Sequence, residues 1–444
     1  MLLDSLFTTE PMRAIFSDAR RIQGMLNFEA ALARAEARVG MIPPEAAEAI
    51  AARCQVERFD LSEIARATAK AGNPAIPLIA ALTEQVASEN AEAARYVHWG
   101  ATSQDAMDTG LMLQLRDALD TLDGDLARLA RACATLAEAT AGTPMAGRTW
   151  LQQASPTTFG LKVAGWLSAI NRHRQRLRRL RPRVLVVQLG GSVGTLAGFG
   201  ALGIEVAAAL ADDMGLALPD IPWHAERDRV AEVATTLGLL TGTLGKMARD
   251  TSLLAQTEVG EAFEPDEPGK GRSSTLPQKR NPVGASVALA AATRVPGLVA
   301  TMLAAMPQEH ERGLGGWQAE WETLPEVACL TAGALAQMTQ VVESMELDSD
   351  RMRANLDLTH GAICAEAVAL ALALSVGKSE AHRLVREASH RALTQQTPLR
   401  EALAGMPEVT ARLSGDDLDR LCDPASVTGP AERLIQRVLA QEID

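Results

Sequence analysis

Aromatic residues are scarce: six Trp, one Tyr and seven Phe make up 3% of the 444 positions. Residues that favour pleated surfaces are therefore few, while Ala, Leu, Glu and Arg are abundant, and this balance predicts a nearly all-α fold. The five cysteines (Cys54, Cys133, Cys329, Cys364, Cys422) are odd in number, far apart and without a CxxC pair. That excludes a disulfide framework or zinc knuckle and fits small buried apolar residues of a cytoplasmic protein. No run of about 18 uncharged apolar residues occurs, residues 365–376 coming closest, and the first residues carry an acid rather than a basic flank. Neither a membrane span nor a secretory signal is expected.

Positive charge is also short. Lys and Arg number 43 against 55 Asp and Glu, a net charge of −12, with one Arg-rich stretch at 172–183. Such a surface repels phosphate backbones and anionic lipid, so no nucleic-acid or membrane partner is expected. The seven histidines form no HExxH or tight pair, and no metal is expected. Segment 242–247 has Leu240 where a phosphate loop needs glycine and Met247 where it needs Ser or Thr. Residues 190–194 lack GxGxxG spacing, and no GxSxG elbow occurs. No cofactor and no Ser-His-Asp hydrolase follow from these.

What is present is helical periodicity. Between residues 18 and 39, Ile22, Met25, Leu26, Phe28 and Ala33 fall on one face and Glu29, Arg34 and Glu36 on another, until Gly40 stops the pattern. Segments 105–141, 156–180, 225–261, 282–306 and 321–345 are long and without a strong internal breaker. At about 1.5 Å per residue, their apolar stripes need partners over some 40–50 Å. A long bundle completed by other subunits is the expectation. Changes in helix length place domains at 1–98 (N-terminal helices), 99–345 (the long-helix bundle) and 346–444 (C-terminal helices).

Three polar segments stand at predicted helix starts. The first is 269–282, Gly-rich, with Asn281 as cap and Pro282 at the first helical position. Free amide donors there attract anions, and Lys279 adds a charge. It reads either as a solvated connector or as a site carrying Ser273, Lys279 and Asn281. The second is 98–105, where Thr102 and Asp105 form a capping box beside His98 and Ser103. The third is 147–158, where Ser155 and Pro156 repeat the cap-then-proline order, with Arg148, Thr149, Gln152 and Gln153 upstream.

The segment SSTLPQKRNP at 273–282 resembles the signature loop GSSxMPxKxNP of the fumarase/aspartase superfamily, departing at Arg272 and Leu276. Segments 100–105 and 148–156 resemble that superfamily's two other active-site regions in order and separation. Stretches 13–18, 96–98, 147–152, 222–224 and 307–312 resemble its branch that lactonises carboxylated muconates. The likeness covers essentially the whole chain. It implies a three-domain, all-α homotetramer whose central helices form a multi-helix core. It further implies sites built from three subunits, a small tricarboxylate substrate, and Ser273 as the serine that exchanges a proton on the carbon next to a carboxylate.

Members of the superfamily work through a carbanion stored as an aci-carboxylate dianion. Lys279, Asn281 and the helix N-terminus behind Pro282 would meet that charge. Trp150 stands where amine-expelling relatives carry a histidine, and indole does not titrate. A carboxylate added or expelled needs no proton at neutral pH, so the missing histidine is expected of a lactonising enzyme. Three carboxylates call for three anion sites, and three helix starts are available. His98, Thr102, Ser103, Arg148, Thr149, Trp150, Gln152 and Arg312 are the expected substrate contacts. His224, beside Trp223, reads equally as an acid/base or as a packed structural residue. Open alternatives are an amine-releasing lyase of the adenylosuccinate or argininosuccinate type, a non-catalytic relative, and a cycloisomerase for another substituted muconate such as the 3-sulfonate.

Overall fold

The computed structural model describes residues 2–441. Helix accounts for 68% of the chain, so the all-α expectation holds except at short two-stranded ladders. The predicted long helices are present, with ends shifted by up to seven residues: α1 (Asp18–Arg38), α2 (Ser103–Ala139), α3 (Phe159–Val184), α4 (Asp228–Leu254), α5 (Val283–Ala304) and α6 (Gly316–Glu343). In α4 the buried Val230, Val233, Leu237, Leu240, Leu244 and Met247 recur every three or four residues, the spacing that keeps one face of a helix turned inward. Two compact units result: Met1–Asp125 with His173–Gly242 and Ala290–Ala336, and Leu126–Arg172 with Thr243–Leu289 and Gln337–Asp444.

In the first unit, α1 and α2 approach at Gly24 and Gly110. A Cβ on Gly24 would stand 3.1 Å from the Gly110 Cα, so no side chain fits between the backbones. This tight crossing buries α1 on more than its apolar face. Glu29 and Glu36, read as lying on a separate face from the apolar residues, are 2% and 0% exposed, whereas Arg34 is exposed. Polar periodicity marks a second packed surface here.

In the second unit, β1 (Pro144–Thr149) pairs antiparallel with β2 (Gln152–Thr158). The expected helix start at Ser155 and Pro156 is therefore a strand, and α3 begins at Phe159, with Thr158 Oγ1 accepting from Leu161 N at 3.1 Å. Cap-then-proline order suits a strand here because Pro156 lies opposite Ala146 beside the register shift between Ala146 and Arg148. A second ladder joins β3 (Ala262–Phe263) to β4 (Glu346–Leu347) and pins the chain just ahead of the 269–282 loop. The C-terminal helices α7 (Ala365–Val376) and α8 (Lys378–Gln395) close on a core of Val368, Leu372, Leu384 and Val385 with Leu399 and Leu403.

Among the described residues, helix α5 is long and apolar enough by length and composition to cross a membrane, and 362–376 passes the same test only together with Ser349–Asp357 across a sharp bend. Arg294 interrupts the run of uncharged residues in α5 and pairs with Glu326. Only 28% of its apolar window is buried within the chain.

Candidate active site

In the first unit the site is organised around Asp105, wholly buried in the first turn of α2. Its Oδ2 accepts from Thr102 N at 3.0 Å, the carboxylate half of the expected capping box, and from Gly191 N at 2.9 Å. Its Oδ1 accepts from Gly190 N at 2.9 Å and faces His224 Nε2 at 2.6 Å. Four donors satisfy one buried carboxylate, which fixes the position of every group attached to it.

His224 is 3% exposed, and its carbonyl accepts from Gln104 Nε2 at 3.0 Å. The same Gln104 accepts from Arg312 Nη1 at 2.9 Å, while Arg312 Nη2 donates to Ser192 O at 2.8 Å. Three turns of chain distant in sequence thus meet at the start of α2. Behind them Arg227, 1% exposed, clamps Asp108 (2.7 and 3.1 Å) and Glu320 (2.5 and 3.0 Å). Burial alone would lower the Arg227 guanidinium, but the two carboxylates hold it above its ordinary value. His98 Nδ1 lies 2.7 Å from Oε1 of buried Glu29. Burial pulls the imidazole down, yet the Glu29 charge and hydrogen bond, with Asp105 beyond, hold it above the usual histidine value.

In the second unit, Trp150 and Leu151 form the two-residue turn between β1 and β2. Both lie in the left-handed region (φ +53° and +65°) and both are exposed, Trp150 at 96%. Glycine or asparagine is usual in such a turn, so the conformation is strained. Arg148 was expected to bind substrate, but its fork already grips Glu261 at 2.7 and 2.9 Å. Glu261 is fully buried and also accepts from Asn355 Nδ2 at 2.7 Å. Arg148 is thereby a brace that fixes the hairpin one pair below its tip, where Thr149 and Gln152 are exposed.

The 269–282 loop is closed by Arg272 pairing with Arg280 and by Asn281 N donating to Gly271 O at 2.8 Å. Ser273 Oγ accepts from Leu276 N at 3.1 Å, which forms a small turn at the exposed tip. Lys279 is exposed, its ammonium unpartnered among the described residues. The helix start behind Pro282 is present, with α5 beginning at Val283, but its amides are not free. Glu264, 7% exposed, accepts from Gly284 N at 3.0 Å and Ala285 N at 2.7 Å. Of the three helix starts expected to hold anions, one is a strand and this one is filled by the protein's own carboxylate.

Sequence reasoning singled out His98, Thr102, Ser103, His224 and Arg312, which gather in the first unit. It placed Arg148, Thr149, Trp150 and Gln152 on one segment and Ser273, Lys279 and Asn281 on another, and both belong to the second unit. It did not assign Glu29, Gln104, Glu261 or Glu264. For the three glutamates the only signal was an acid standing among apolar residues, and Gln104 carried none beyond its place in the 98–105 segment. Gly190 and Gly191, set aside as a nucleotide motif, are instead amide donors to Asp105.

A family model described as lyase matches residues 6–297, and one described as adenylosuccinate lyase C-terminus matches residues 361–438. The chain belongs to the lyase family of the fumarase/aspartase superfamily. It is similar to 3-carboxy-cis,cis-muconate cycloisomerase of Pseudomonas aeruginosa, 59% identical over 440 residues that cover 99% of this chain and 96% of the relative. Its fold is similar to the crystal structure of 3-carboxy-cis,cis-muconate lactonizing enzyme from Pseudomonas putida: TM-score 0.93, 55% identity, covering 99% of this chain and 98% of that one. It is also similar to β-carboxy-cis,cis-muconate cycloisomerase from Acinetobacter calcoaceticus: TM-score 0.94, 42% identity, all of both chains covered.

Proposed function

We propose that this chain closes 3-carboxy-cis,cis-muconate to a carboxymuconolactone, a step of protocatechuate catabolism. The observation that carries the reading is the likeness, over nearly the whole of both chains, to enzymes of that activity. In the reaction one carboxylate oxygen bonds to the carbon β to a second carboxylate. The alkene electron pair moves onto that carboxylate as an aci-carboxylate, and Ser273 Oγ gives its proton to the carbon between them. Lys279 meets the dianion, supported by its exposed, unpartnered ammonium. With the α5 amides held by Glu264, the charge of Lys279 and the amide of Asn281 carry more of that task. His98, Thr102, Ser103 and Arg312 would contact the remaining carboxylates from the first unit, with His224 fixing Asp105 beneath them.

The sites are composed from several copies of the chain in a homotetramer. Two features support this: the apolar face that α5 leaves uncovered and the strained, exposed Trp150 at the hairpin tip. An amine-releasing lyase is the second reading, favoured by the match to an adenylosuccinate lyase C-terminus. The indole of Trp150 speaks against it, since it offers no proton to a departing amine.

Ultraviolet monitoring of purified protein with 3-carboxy-cis,cis-muconate, 3-sulfomuconate and adenylosuccinate separates the readings. Turnover of the first, abolished by Ser273→Ala with the oligomer intact, is expected. Efficient cleavage of adenylosuccinate would overturn the assignment.

A further inference from the structure

Glu29 is a buried carboxylate with one side-chain partner among the described residues. Its Oε1 faces His98 Nδ1 at 2.7 Å, and its Oε2 is buried with no hydrogen-bond partner. A charge so placed is costly unless the ring opposite carries the matching N–H and positive charge. The backbone is strained at this position: His98 has φ +58°, uncommon outside glycine, and Gly100 follows at +70°. With Nδ1 committed to Glu29, the Nε2 edge is the one left open, without a partner among the described residues, and the side chain is 14% exposed.

The surrounding charges are few. Asp105 on α2 acts on the ring through its charge. Glu36 on α1 and Cys54, which follows the helix Pro44–Ala51, face Glu29. Burial and the Glu29 charge push Glu36 up to about 9, so it adds no second negative charge at neutral pH. Arg34 also acts on Cys54, but its guanidinium is turned to Asp213 at 2.6 and 3.1 Å. Glu29 is the group in direct contact with His98.

We propose that Glu29 is the positioning residue for His98: it holds Nδ1–H so that the ring presents a charged Nε2–H donor to a substrate carboxylate. Carboxylate-held histidines are a general device for fixing which nitrogen faces the reaction. This inference rests on the lactonising function proposed above, in which His98 touches substrate.

Glu29→Gln keeps an acceptor for Nδ1–H and removes the charge. The pH above which KM for 3-carboxy-cis,cis-muconate rises should then move down by about one unit, while kcat at acidic pH stays within about twofold. Diethylpyrocarbonate acylates neutral imidazole. Its rate at His98, read peptide by peptide by mass spectrometry, should show the same downward shift, and Glu29→Asp should restore part of both. In a His98→Gln background, Glu29→Gln should have no further effect on KM. Unchanged pH profiles in a folded Glu29→Gln protein, or an equal loss with and without His98, would overturn the proposal. If Glu29→Gln does not fold, the wild-type acylation profile decides: a midpoint above that of free histidine supports the proposal and one at or below it defeats it. A wild-type protein inert toward 3-carboxymuconate defeats the assignment of function instead, and the acylation series still decides the Glu29–His98 coupling.

Discussion

Among the described residues, nothing donates to the Glu36 carboxylate. Both carboxyl oxygens are buried without a partner, and burial together with the Glu29 charge raises its folded-state value from 4.5 to about 9. A raised folded-state value stabilises fully below the unfolded one, and that contribution is lost as pH climbs through the folded one. Glu36→Gln removes the loss. The gap in unfolding free energy between variant and wild type should therefore widen from pH 5 to pH 9, by up to about 1.4 kcal/mol for each pH unit. A gap independent of pH in thermal melts would show that the group is ionised in the fold. Lys279 is the opposite case, an exposed cation that stabilises nothing within the chain. Lys279→Met should leave the melting temperature unchanged and lower kcat/KM by ~100-fold or more, because its charge is met only by the reacting dianion.

The hairpin shows how an element can be built against its own preference. Trp150 and Leu151 occupy a turn that glycine and asparagine adopt freely, and each L-residue held there costs ~1 kcal/mol or more. Their strain is held by the clamp of Arg148 on Glu261 and by the strand pairing behind it. Leu151→Gly should raise stability by about 1 kcal/mol and lower turnover, as the tip loses the geometry that presents Thr149 and Trp150. Thermal melts and steady-state rates on the same preparation check both halves. Trp150→His should fold normally, given a side chain 96% exposed.

For the whole molecule, the question is where uncovered apolar surface goes. Leu239 on α4 and Leu303 on α5 are 58% and 47% exposed, and α5 buries little of itself within one chain. Surface of this kind is stable in water when another copy covers it. The tetramer proposal then makes a test of composition. Ser273→Ala and Ser103→Ala, each nearly inactive alone, should regain part of the wild-type rate when unfolded and refolded together, since some mixed sites contain neither substitution. No recovery from well-formed mixed oligomers would place both serines in sites made by a single chain.

The helices were legible in the sequence because a 3.6-residue apolar period leaves few other ways to bury Leu, Val and Met; α4 and α5 begin within a few residues of where that period begins. The Ser273, Lys279 and Asn281 loop was legible because its residue types are unusual and local. The partners of the polar groups were not. Glu29 reaches His98 across 69 positions, Arg148 reaches Glu261 across 113, and His224 reaches Asp105 across 119. Glu264 fills a helix end that looked open. A carboxylate carries no local mark of which donor it will meet once water is excluded, so packing alone decides whether a helix start is an anion site or already has its anion.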